Sequence, residues 1–564
     1  MKVYLINQSP DTSKKLSTIS LSSYTLKAYV EANISKNYLQ KISIKVIDFD
    51  YKTTSSKMID TILSGNPDIV GFSVYLWNYE KFCLSSEKIK SFNPSLTLMF
   101  GGPQLNSSET AADFMNKYPQ VDIVSYVNNA GEIIFYNVLL SLFKNNKLKS
   151  VKGIVYRKNN DILINPPPTQ STDLSVIPSP YIENIIQINK PTHAVIETSR
   201  GCPFDCGYCS WGGGIRKIRY FPLKRVFKEL DLLYENNNIE SIYFADSNFF
   251  TNTKRSEIIL DYMLKKKRNI EPFFEMDIRS IQKEIVHKFT KLNSNYCFHF
   301  ALQSSNPIAL KHIGGRRIQP DKFAQKISLL KKWAPKSAFK IDIMLGLPGD
   351  DLIGFKKTVD FALSLEPLRL IVNYPIYLLP GSKFYENRDN MNLKYTKKIP
   401  LTITETSTFS KSEMNDALKW VIWVEILTYY YPAISNFFYL IYKKKTSSIS
   451  RTDQLTKWIT SLNEAVSIYP NNVDLVDIAT ESLHGWNILK GDILRRSSEL
   501  ESAYKIFSTI YELEVSQHYQ DMTESIIPSL KLLEKLKSND YKTNKDSHQY
   551  VFSRFKDNKN EKIN

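Results

Sequence analysis

Residues 197–214 decide the fold, and they read Glu197-Thr-Ser-Arg-Gly-Cys202-Pro-Phe-Asp-Cys206-Gly-Tyr-Cys209-Ser-Trp-Gly-Gly-Gly214. This stretch contains three of the chain's five cysteines within eight residues. The apolar residues 194–196 directly before it are typical of a short buried strand. The sequence therefore predicts a strand followed by a loop that holds a metal cluster.

The spacing of the three cysteines favours an iron–sulfur cluster. Three thiolates can cover one face of a cubane cluster, which usually takes four cysteine sulfurs. One iron then has no protein ligand, and an open metal position distinguishes a reactive site from a closed structural one. We expect that iron to bind a second molecule.

Two other uses of the cysteines are disfavoured. Disulfides are not expected from an odd number of cysteines in one loop of a chain that shows no secretory framework. Zinc needs a fourth ligand, and the nearest histidine, His193, precedes the loop without the paired spacing of a zinc finger.

Cys202, Cys206 and Cys209, with aromatic Tyr208 directly before the third cysteine, closely resemble the signature of radical S-adenosylmethionine (SAM) enzymes. The resemblance implies that the three cysteines bind a [4Fe-4S] cluster whose open iron chelates the amino and carboxylate groups of SAM. It implies that reduction of the cluster cleaves SAM to a 5′-deoxyadenosyl radical. An electron donor such as flavodoxin or ferredoxin is then an expected partner.

Composition bounds the remaining possibilities. A chain of 564 residues with 42% apolar content is long enough for several domains with cores of their own. Five cysteines in this length suggest a reducing compartment, so we expect a cytoplasmic protein. No signal peptide is visible, and no apolar run approaches the ~18 residues of a membrane span.

The net charge of +17 raises the possibility of nucleic-acid binding. The lysines, however, are scattered and cluster mainly at residues 265–268, at 443–445 and in the tail. We therefore expect solvated helix faces and helix ends rather than a nucleic-acid surface.

Residues 1–150 predict a Rossmann-like domain, because apolar runs at 3–6, 42–49, 69–75, 96–100 and 121–127 alternate with helical patterns. Ligands of such parallel sheets bind outside the carboxyl ends of the strands. The candidate binding residues that follow these ends are Ser73, Tyr75, Trp77, Asn78, Gly101, Gly102, Pro103 and Glu132.

The order Gly-Phe-Ser-Val, Gly-Gly-Pro and Gly-Glu resembles the cobalamin-binding domain that precedes the core of one large class of radical SAM enzymes, and so implies cobalamin. Residues 1–192 contain no histidine, so the lower axial imidazole of methionine-synthase-like proteins is absent. The lower face of cobalt would then be open, water-filled or covered by another side chain, for example from the loop 75–78. The alternative is a degenerate Rossmann-like domain that binds no cofactor.

Residues 151–192 predict a connector, with a hairpin turning at residues 159–161 and several prolines after it. In residues 193–400, strand-then-helix patterns repeat at 241–245, 272–277, 298–303, 340–345 and 370–379. They match the partial (β/α)6 TIM barrel that forms the core of the resembled family, where polar residues at carboxyl ends of strands belong to the active site.

Candidate SAM-binding residues follow these strands. Tyr208 can stack on adenine, and Arg279 has the fork geometry for the SAM carboxylate. The remaining candidates are Gln303, Ser304 and Asp246 as hydrogen-bonding groups, Asn248 near the place of the family's usual Gly-Gly-Glu-like element, and Gly346 with Gly349 for close backbone approach. The alternative for each polar residue is a helix cap.

A mostly helical domain is predicted for residues 401–536, with a disordered tail at 537–564. Its first helix, from Ser412 to before Pro432, is apolar nearly all round, which favours a core helix over an aromatic substrate channel. No cysteine follows Cys297, so a second cysteine-bound cluster is excluded there. Cys83 and Cys297 are expected in the core, with Cys297 or His299 as an alternative hydrogen donor or acid–base group.

These resemblances imply an α/β enzyme that uses a [4Fe-4S] cluster, SAM and cobalamin to methylate an unactivated carbon of a peptide or natural-product intermediate. A cobalamin-free radical SAM oxidoreductase or epimerase and a tRNA methylthiotransferase-like enzyme remain alternatives. A non-enzymatic alternative is a module in which a structural cluster supports binding of nucleic acid or a partner.

Overall fold

The computed structural model describes residues 1–9, 17–169, 173–212, 216–294, 296–315, 317–365, 367, 369–374, 376–397 and 399–425. The chain divides into two compact units. The first consists of Met1–Asp351 and Asn373–Lys411, and the second of Leu352–Val372 and Ser412–Asn564. Most of the predicted helical domain, from residue 426 onward, and the whole predicted tail lie outside the described residues.

The first part of unit 1 is an open α/β sheet. Its elements are β1 (Lys2–Gln8), β2 (Ser17–Thr18), α1 (Leu21–Asn33), α2 (Lys36–Leu39), β3 (Ser43–Phe49), α3 (Ser55–Ser64), β4 (Ile69–Ser73), α4 (Tyr79–Phe92), β5 (Thr97–Gly101), α5 (Ser108–Lys117), β6 (Ile123–Ser125), α6 (Gly131–Phe143), β7 (Ile154–Lys158) and β8 (Asp161–Ile164). The seven-stranded order is β3-β1-β4-β5-β6-β7-β8, with the first five strands parallel. The parallel, Rossmann-like sheet predicted from the sequence is confirmed.

The predicted hairpin forms as β7 and β8, but it pairs antiparallel with β6. It extends the first sheet instead of serving as a connector. Tyr126 supports this arrangement, because its hydroxyl donates to the Asn165 carbonyl at 2.6 Å. The sheet therefore runs past the predicted boundary at residue 150 to Ile164.

Side chains alternate between the two faces of this sheet along each strand, and helices bury both faces. Val3 and Leu5 of β1 belong to one hydrophobic cluster, which includes residues of α1 and α6. Tyr4 and Ile6 belong to the opposite cluster, which includes residues of α3, α4 and α5. Helices on both faces leave the carboxyl edge of the strands as the open edge of the sheet.

A second run of strands and helices follows. It comprises β9 (Thr192–Ile196), β10 (Ser199–Arg200), β11 (Arg219–Tyr220), α7 (Leu223–Glu235), β12 (Ile239–Phe244), α8 (Thr253–Leu264), β13 (Glu271–Phe274), α9 (Lys283–Leu292), β14 (Cys297–Gln303), α10 (Pro307–Ile313), α11 (Pro320–Trp333), β15 (Ala338–Met344), α12 (Leu352–Ser364), β16 (Arg369–Asn373), α13 (Lys383–Glu386), β17 (Lys394–Tyr395), β18 (Ile403–Glu405) and α14 (Lys411–Glu425). Parallel pairs form between β9 and β12, β12 and β13, and β14 and β15. The predicted strand–helix repeats are all present.

The strand β2 was not predicted, and it pairs in parallel with β9 in the second sheet. We call residues 197–212 the cysteine loop. β2 lies beside β9, the strand that leads into this loop, with Ser17 opposite Thr192 and Thr18 opposite His193. The N-terminal segment thus contributes strands to two of the sheets of unit 1.

Unit 2 contributes α12 and nearly all of β16 and α14 to the described residues. Phe355 of α12 packs edge-to-face on Trp420 of α14, with ring centroids 6.3 Å apart. Trp420, Val421 and Val424 are buried, which fits the predicted core helix. Across the described part of the chain, no helix has both the length and the apolar character that a membrane span requires.

Candidate active site

The cysteine loop leaves β9 and is closed at its base by β10 and β11, which pair antiparallel. Cys206 is buried, and Cys202 and Cys209 are half-buried. Backbone amides shape the loop around the sulfurs: Cys209 N–H donates to the Cys206 carbonyl at 3.0 Å, and Trp211 N–H to Cys209 Sγ at 3.5 Å. All three thiols are free of disulfides, as the cluster prediction requires.

The three free thiols of the loop fit a cubane cluster. Within the described ranges, no three His, Cys, Asp or Glu side chains converge closely enough to hold one metal ion. A cubane does not need such convergence, because each iron corner takes its own thiolate. The space near Cys206 is kept open by Gly315, where an added Cβ would lie 2.8 Å from Cys206 Sγ.

Asp246, directly after β12, positions the start of the cysteine loop. Its fully buried carboxylate accepts hydrogen bonds from the backbone N–H and hydroxyl groups of Thr198 and Ser199. Burial raises its pKa to about 6, against the lowering effect of these hydrogen bonds. Both carboxylate oxygens of Asp246 already accept hydrogen bonds from Thr198 and Ser199, so a bond to SAM would have to share an oxygen with these donors. The predicted role of Asp246 in cofactor binding stays a prediction.

Asn248 and Gln303 each carry a buried amide oxygen without a hydrogen-bond partner. Asn248 is 3% exposed and Gln303 1% exposed. A buried unpaired acceptor costs free energy, so such atoms in a native structure call for an explanation. A ligand with donor groups supplies one, since the ammonium and ribose hydroxyls of SAM are donors.

Gln303 is linked directly to the cysteine loop, because its Nε2 donates to the Tyr208 hydroxyl. Its φ of 70° lies in the left-handed region, which residues other than glycine, asparagine and aspartate rarely adopt. The structure therefore brings together two of the predicted cofactor-binding residues at the carboxyl end of β14.

Ser304, the next residue, belongs to a buried network with Asp350. The Asn306 amide donates to Asp350 Oδ1 at 2.8 Å, and the Ser304 hydroxyl lies 3.4 Å from Oδ2. Burial raises the pKa of Asp350 to about 6. This network fixes the loop of Gly346 and Gly349, whose φ values of 86° and 81° need glycine.

Arg279 lies beside the cysteine loop, but Asp277 already occupies its fork. Nε and Nη2 donate to the Asp277 carboxylate at 2.8 and 2.7 Å. The guanidinium also lies 4.7 Å from the ring centroid of Phe204, a residue of the loop. Its predicted contact with the SAM carboxylate stays a prediction.

In the first sheet, the residues predicted after β4 form one ordered turn. Asn78 is buried, accepts from Tyr75 N–H at 2.7 Å and donates to the Ser73 carbonyl at 3.0 Å. The rings of Tyr75 and Trp77 stack with centroids 4.5 Å apart, and Trp77 is 40% exposed. The turn thus places a flat, partly exposed aromatic pair at the carboxyl edge.

Gly101 and Gly102 end β5, and Pro103 opens the following turn. Gly102 has φ of 114°, and an added Cβ would lie 2.5 Å from the Val74 carbonyl oxygen. Only glycine tolerates this conformation and contact. The two strand ends are therefore drawn together without side chains between them, which fits the close approach of a large flat cofactor.

Glu132, in the first turn of α6, forms a buried ion pair with Arg200 that the sequence did not predict. Arg200 donates to the Glu132 carboxylate at 3.1 and 2.7 Å and to the Glu197 carboxylate at 2.9 Å twice. Burial opposes ionisation of Glu132, but the charge of Arg200 outweighs it and lowers the pKa of Glu132. Glu132 thus contacts the base of the cysteine loop.

Two further contacts join the carboxyl edge of the first sheet to the run of strands and helices that starts at β9. Asn129 donates to the Gly212 carbonyl of the cysteine loop at 3.4 Å, and Asn106 to the Pro380 carbonyl at 3.3 Å. Both asparagines follow strands of the first sheet. The only available sequence signal for these residues was their place after predicted strands, where ligand-binding residues also lie.

The other two cysteines lie apart from the loop. Cys83 is buried in the first sheet's core, as predicted, and burial raises its pKa to about 12. Cys297 is half-buried on β14, and His299 on the same strand bonds to Asp342 at 2.7 Å.

Comparison with known proteins agrees with this site. The family model of the radical SAM superfamily matches residues 196–362. An uncharacterized methyltransferase of Pyrococcus horikoshii is 25% identical over 366 residues, which is 63% of this chain and 76% of that protein. The cobalamin-dependent radical SAM methyltransferase TokK of Streptomyces tokunonensis is 26% identical over 203 residues, 34% of this chain but only 29% of TokK.

Among solved structures, the cobalamin-dependent SAM radical enzyme OxsB with aqua-cobalamin and SAM bound has the same fold. Its TM-score is 0.58 at 18% identity, with 95% of this chain and 83% of OxsB covered. The matched family model begins at the last residue of β9 and includes the three cysteines, so the predicted radical SAM motif is confirmed. Residues 196–362 therefore match the radical SAM superfamily, and the chain resembles the cobalamin-dependent members of that superfamily.

Proposed function

We propose that this chain is a cobalamin-dependent methyltransferase that transfers a methyl group to an unactivated carbon of a peptide or natural-product intermediate. When bound, the [4Fe-4S] cluster with SAM supplies a 5′-deoxyadenosyl radical, and cobalamin supplies the methyl group. The fold and the relatives support the cofactors, and the reaction on carbon is our inference.

One observation carries the proposal. Loops at the carboxyl edge of the first sheet contact the cysteine loop and its base within one compact unit, through Asn129 to Gly212 and Glu132 to Arg200. Ligands bind at carboxyl edges of both kinds of sheet. Cofactors held at the two edges would therefore face one another.

The chain's own residues divide the work of binding. Cys202, Cys206 and Cys209 would hold the cluster, and Gln303 and Asn248 would accept hydrogen bonds from SAM. Gly102 and the stacked pair of Tyr75 and Trp77 would hold cobalamin from the first sheet. Because the described first sheet offers no histidine, a lower ligand for cobalt from these strand ends would have to be another side chain or water.

We also propose that electrons arrive from an acidic redox protein such as flavodoxin or ferredoxin. Arg216 and Lys383 both pair with Asp205 in the cysteine loop, and their side chains are 67% and 53% exposed. Exposed cations suit an acidic partner. Reduction of the cluster by flavodoxin should slow as salt rises, and a rate independent of salt would contradict this docking surface.

The test is anaerobic reconstitution with iron and sulfide, followed by SAM and a strong reductant. We expect 5′-deoxyadenosine from the wild type and from Cys83→Ala, and none from Cys202→Ala, Cys206→Ala or Cys209→Ala. Product from a loop-cysteine variant at the wild-type level would contradict the assignment of these ligands. Cys83→Ala is the matched control, because Cys83 lies in a separate core.

A further inference from the structure

The strands β9, β12, β13, β14 and β15 share one pattern of burial. Side chains of one face are fully buried, including Ile196, Phe244, Phe274, Phe298 and Ile341. Phe274 and Phe298 both pack on Phe289 of α9, with centroids 5.5 and 5.3 Å apart. This buried face is therefore the one that faces the helices.

The opposite face, which we call the inner face, is less buried on the five strands from β9 to β15 that carry the repeat in unit 1, although Ser241 on the same face of β12 is buried. Side chains alternate along a strand, so it consists of the residues between the buried ones. They are His193, Val195, Tyr243, Glu271, Phe273, Glu275, Cys297, His299, Ala301, Lys340 and Asp342. Most are polar, whereas the interior of a closed (β/α)8 barrel is filled by bulky apolar side chains.

Two hydrogen-bonded pairs organise the inner face. His299 Nε2 and Asp342 Oδ1 lie 2.7 Å apart, and their side chains are 46% and 22% exposed. The Tyr243 hydroxyl donates to Glu275 Oε1 at 3.0 Å. Each pair fixes a carboxylate while leaving further acceptor positions, because an ionised carboxylate accepts about four hydrogen bonds.

The pair of His299 and Asp342 lies close to Gln303, which we propose binds SAM. Asp342 is opposite Ala301 in the register of β14 and β15, and Ala301 is two residues before Gln303. Two residues of strand span about 7 Å. Gln303 has the buried amide oxygen without a partner and contacts Tyr208 of the cysteine loop. A molecule next to SAM could therefore extend along the inner face to Asp342.

The charges of the face favour one chemistry. Glu271, Glu275 and Asp342 are carboxylates, and Lys340 is the one lysine or arginine among the inner-face residues of these described strands. Lys340 lies opposite His299 in the register, two pairs before Asp342. A face with more carboxylates than cations favours ligands that carry positive charge or hydrogen-bond donors.

We propose that the inner face binds the polar end of the substrate, which presents hydrogen-bond donors, an ammonium or hydroxyl groups, to Asp342 and Glu275. This inference rests on the proposed function, because it takes the molecule to be methylated as the occupant. His299 is a positioning residue that holds Asp342. Binding of a remote polar end also orients the carbon that reacts.

The test uses the reconstituted full chain with SAM and three probes that share a phenyl ring: 2-phenylethylamine, 2-phenylethanol and 3-phenylpropionate. Saturation-transfer NMR should show the amine or the alcohol binding about tenfold more tightly than the carboxylate, as expected where an anionic site repels an anion. Preference for the amine identifies an ammonium, and preference for the alcohol identifies hydroxyls.

Asp342→Asn and Glu275→Gln should each reduce the preference over the carboxylate several-fold, whereas Asp261→Asn should not. Asp261 is the matched control, because it pairs with Lys288 between the outer helices α8 and α9. Equal or tighter binding of 3-phenylpropionate, no binding of any probe, or an unchanged preference in both variants would overturn the inference. Formation of 5′-deoxyadenosine in the same samples reports the proposed function separately.

Discussion

Arg200 and Glu132 form a two-bond ion pair, 2.7 and 3.1 Å long, between the base of the cysteine loop and the first turn of α6. Both side chains are about nine-tenths buried. Arg219 lies directly opposite Arg200 in the β10–β11 ribbon, so two buried guanidinium groups face one another. Glu132 and Glu197 supply the balancing negative charge at the junction of the two sheets.

Glu132→Gln should therefore lower the free energy of unfolding by about 3–5 kcal/mol, because it removes one of the two carboxylates that balance the buried guanidinium groups. Urea unfolding of the reduced, metal-free chain measures this change. The control is Lys90→Met, which breaks the 2.7 Å pair of Lys90 with Asp122 at partly exposed side chains, where a loss of about 0–1 kcal/mol is expected. An equal loss of unfolding free energy in the two variants would show that the buried pair of Arg200 and Glu132 stabilises the fold no more than a partly exposed pair does.

Asp350 should make the protein less stable as pH rises from about 4 to about 6. Burial raises its pKa from 3.8 to about 6 in the folded chain, so the folded state holds a proton that the unfolded state releases. Stability from this group is full below pH 3.8 and is lost as pH rises through 6, by about 3 kcal/mol for a shift of this size.

Unfolding curves of wild type and Asp350→Asn between pH 4 and pH 7 isolate this effect, because all other titrating groups are shared. The wild type should lose stability relative to the variant as pH rises. A difference that stays constant over this range would mean that Asp350 titrates normally.

Gly102→Ala should destabilise the first sheet and reduce its retention of cobalamin. The backbone conformation is accessible essentially to glycine alone and costs other residues about 1–3 kcal/mol, and the new Cβ would meet Val74. Gly101→Ala is the matched control, since its Cβ would make an ordinary 3.6 Å contact with Ser125. Thermal unfolding and the absorbance of bound cobalamin report the two effects, and equal behaviour of both variants would contradict this account.

Asn248→Ala should weaken SAM binding about three- to tenfold with little change in stability, because the amide oxygen has no partner in the unliganded chain. Asn252→Ala should instead lower the stability of the protein and leave its SAM affinity unchanged. The Asn252 side chain caps α8 by accepting from Arg255 N–H at 3.1 Å, and its loss costs about 1 kcal/mol of stability. Calorimetric titration with SAM and thermal unfolding distinguish the two, and unchanged SAM affinity in Asn248→Ala would remove it from the site.

Local patterns in the sequence were sufficient to predict the strands, the cysteine loop and the residues after the strand ends. The spacing of Cys202, Cys206 and Cys209 fixes their proximity within one loop, so it needs no tertiary information. Gln303 ends one strand and Asn248 follows another, and the apolar runs of both strands are clear in the sequence. The parallel direction of the first five strands of the first sheet likewise followed from the alternation of strand and helix patterns.

Contacts between distant segments could not be predicted in this way. Nothing local in the sequence marks Glu132 as the partner of Arg200, 68 residues away. The pairing of β2 with β9 and of the hairpin with β6 likewise depends on which sheet edge is free in three dimensions. Arg279 and Asp246 were predicted as cofactor ligands from their place after strands, but that place does not reveal that Asp277 and Thr198 contact them.

The most direct measurement is the cofactor content and SAM cleavage of one anaerobically purified and reconstituted sample. We predict a [4Fe-4S] signal in the reduced protein's electron paramagnetic resonance spectrum, retained cobalamin in its absorbance, and 5′-deoxyadenosine once SAM and a reductant are added. Cleavage of SAM by protein that retains no cobalamin after reconstitution with it would contradict the central claim and leave a cobalamin-free radical SAM enzyme.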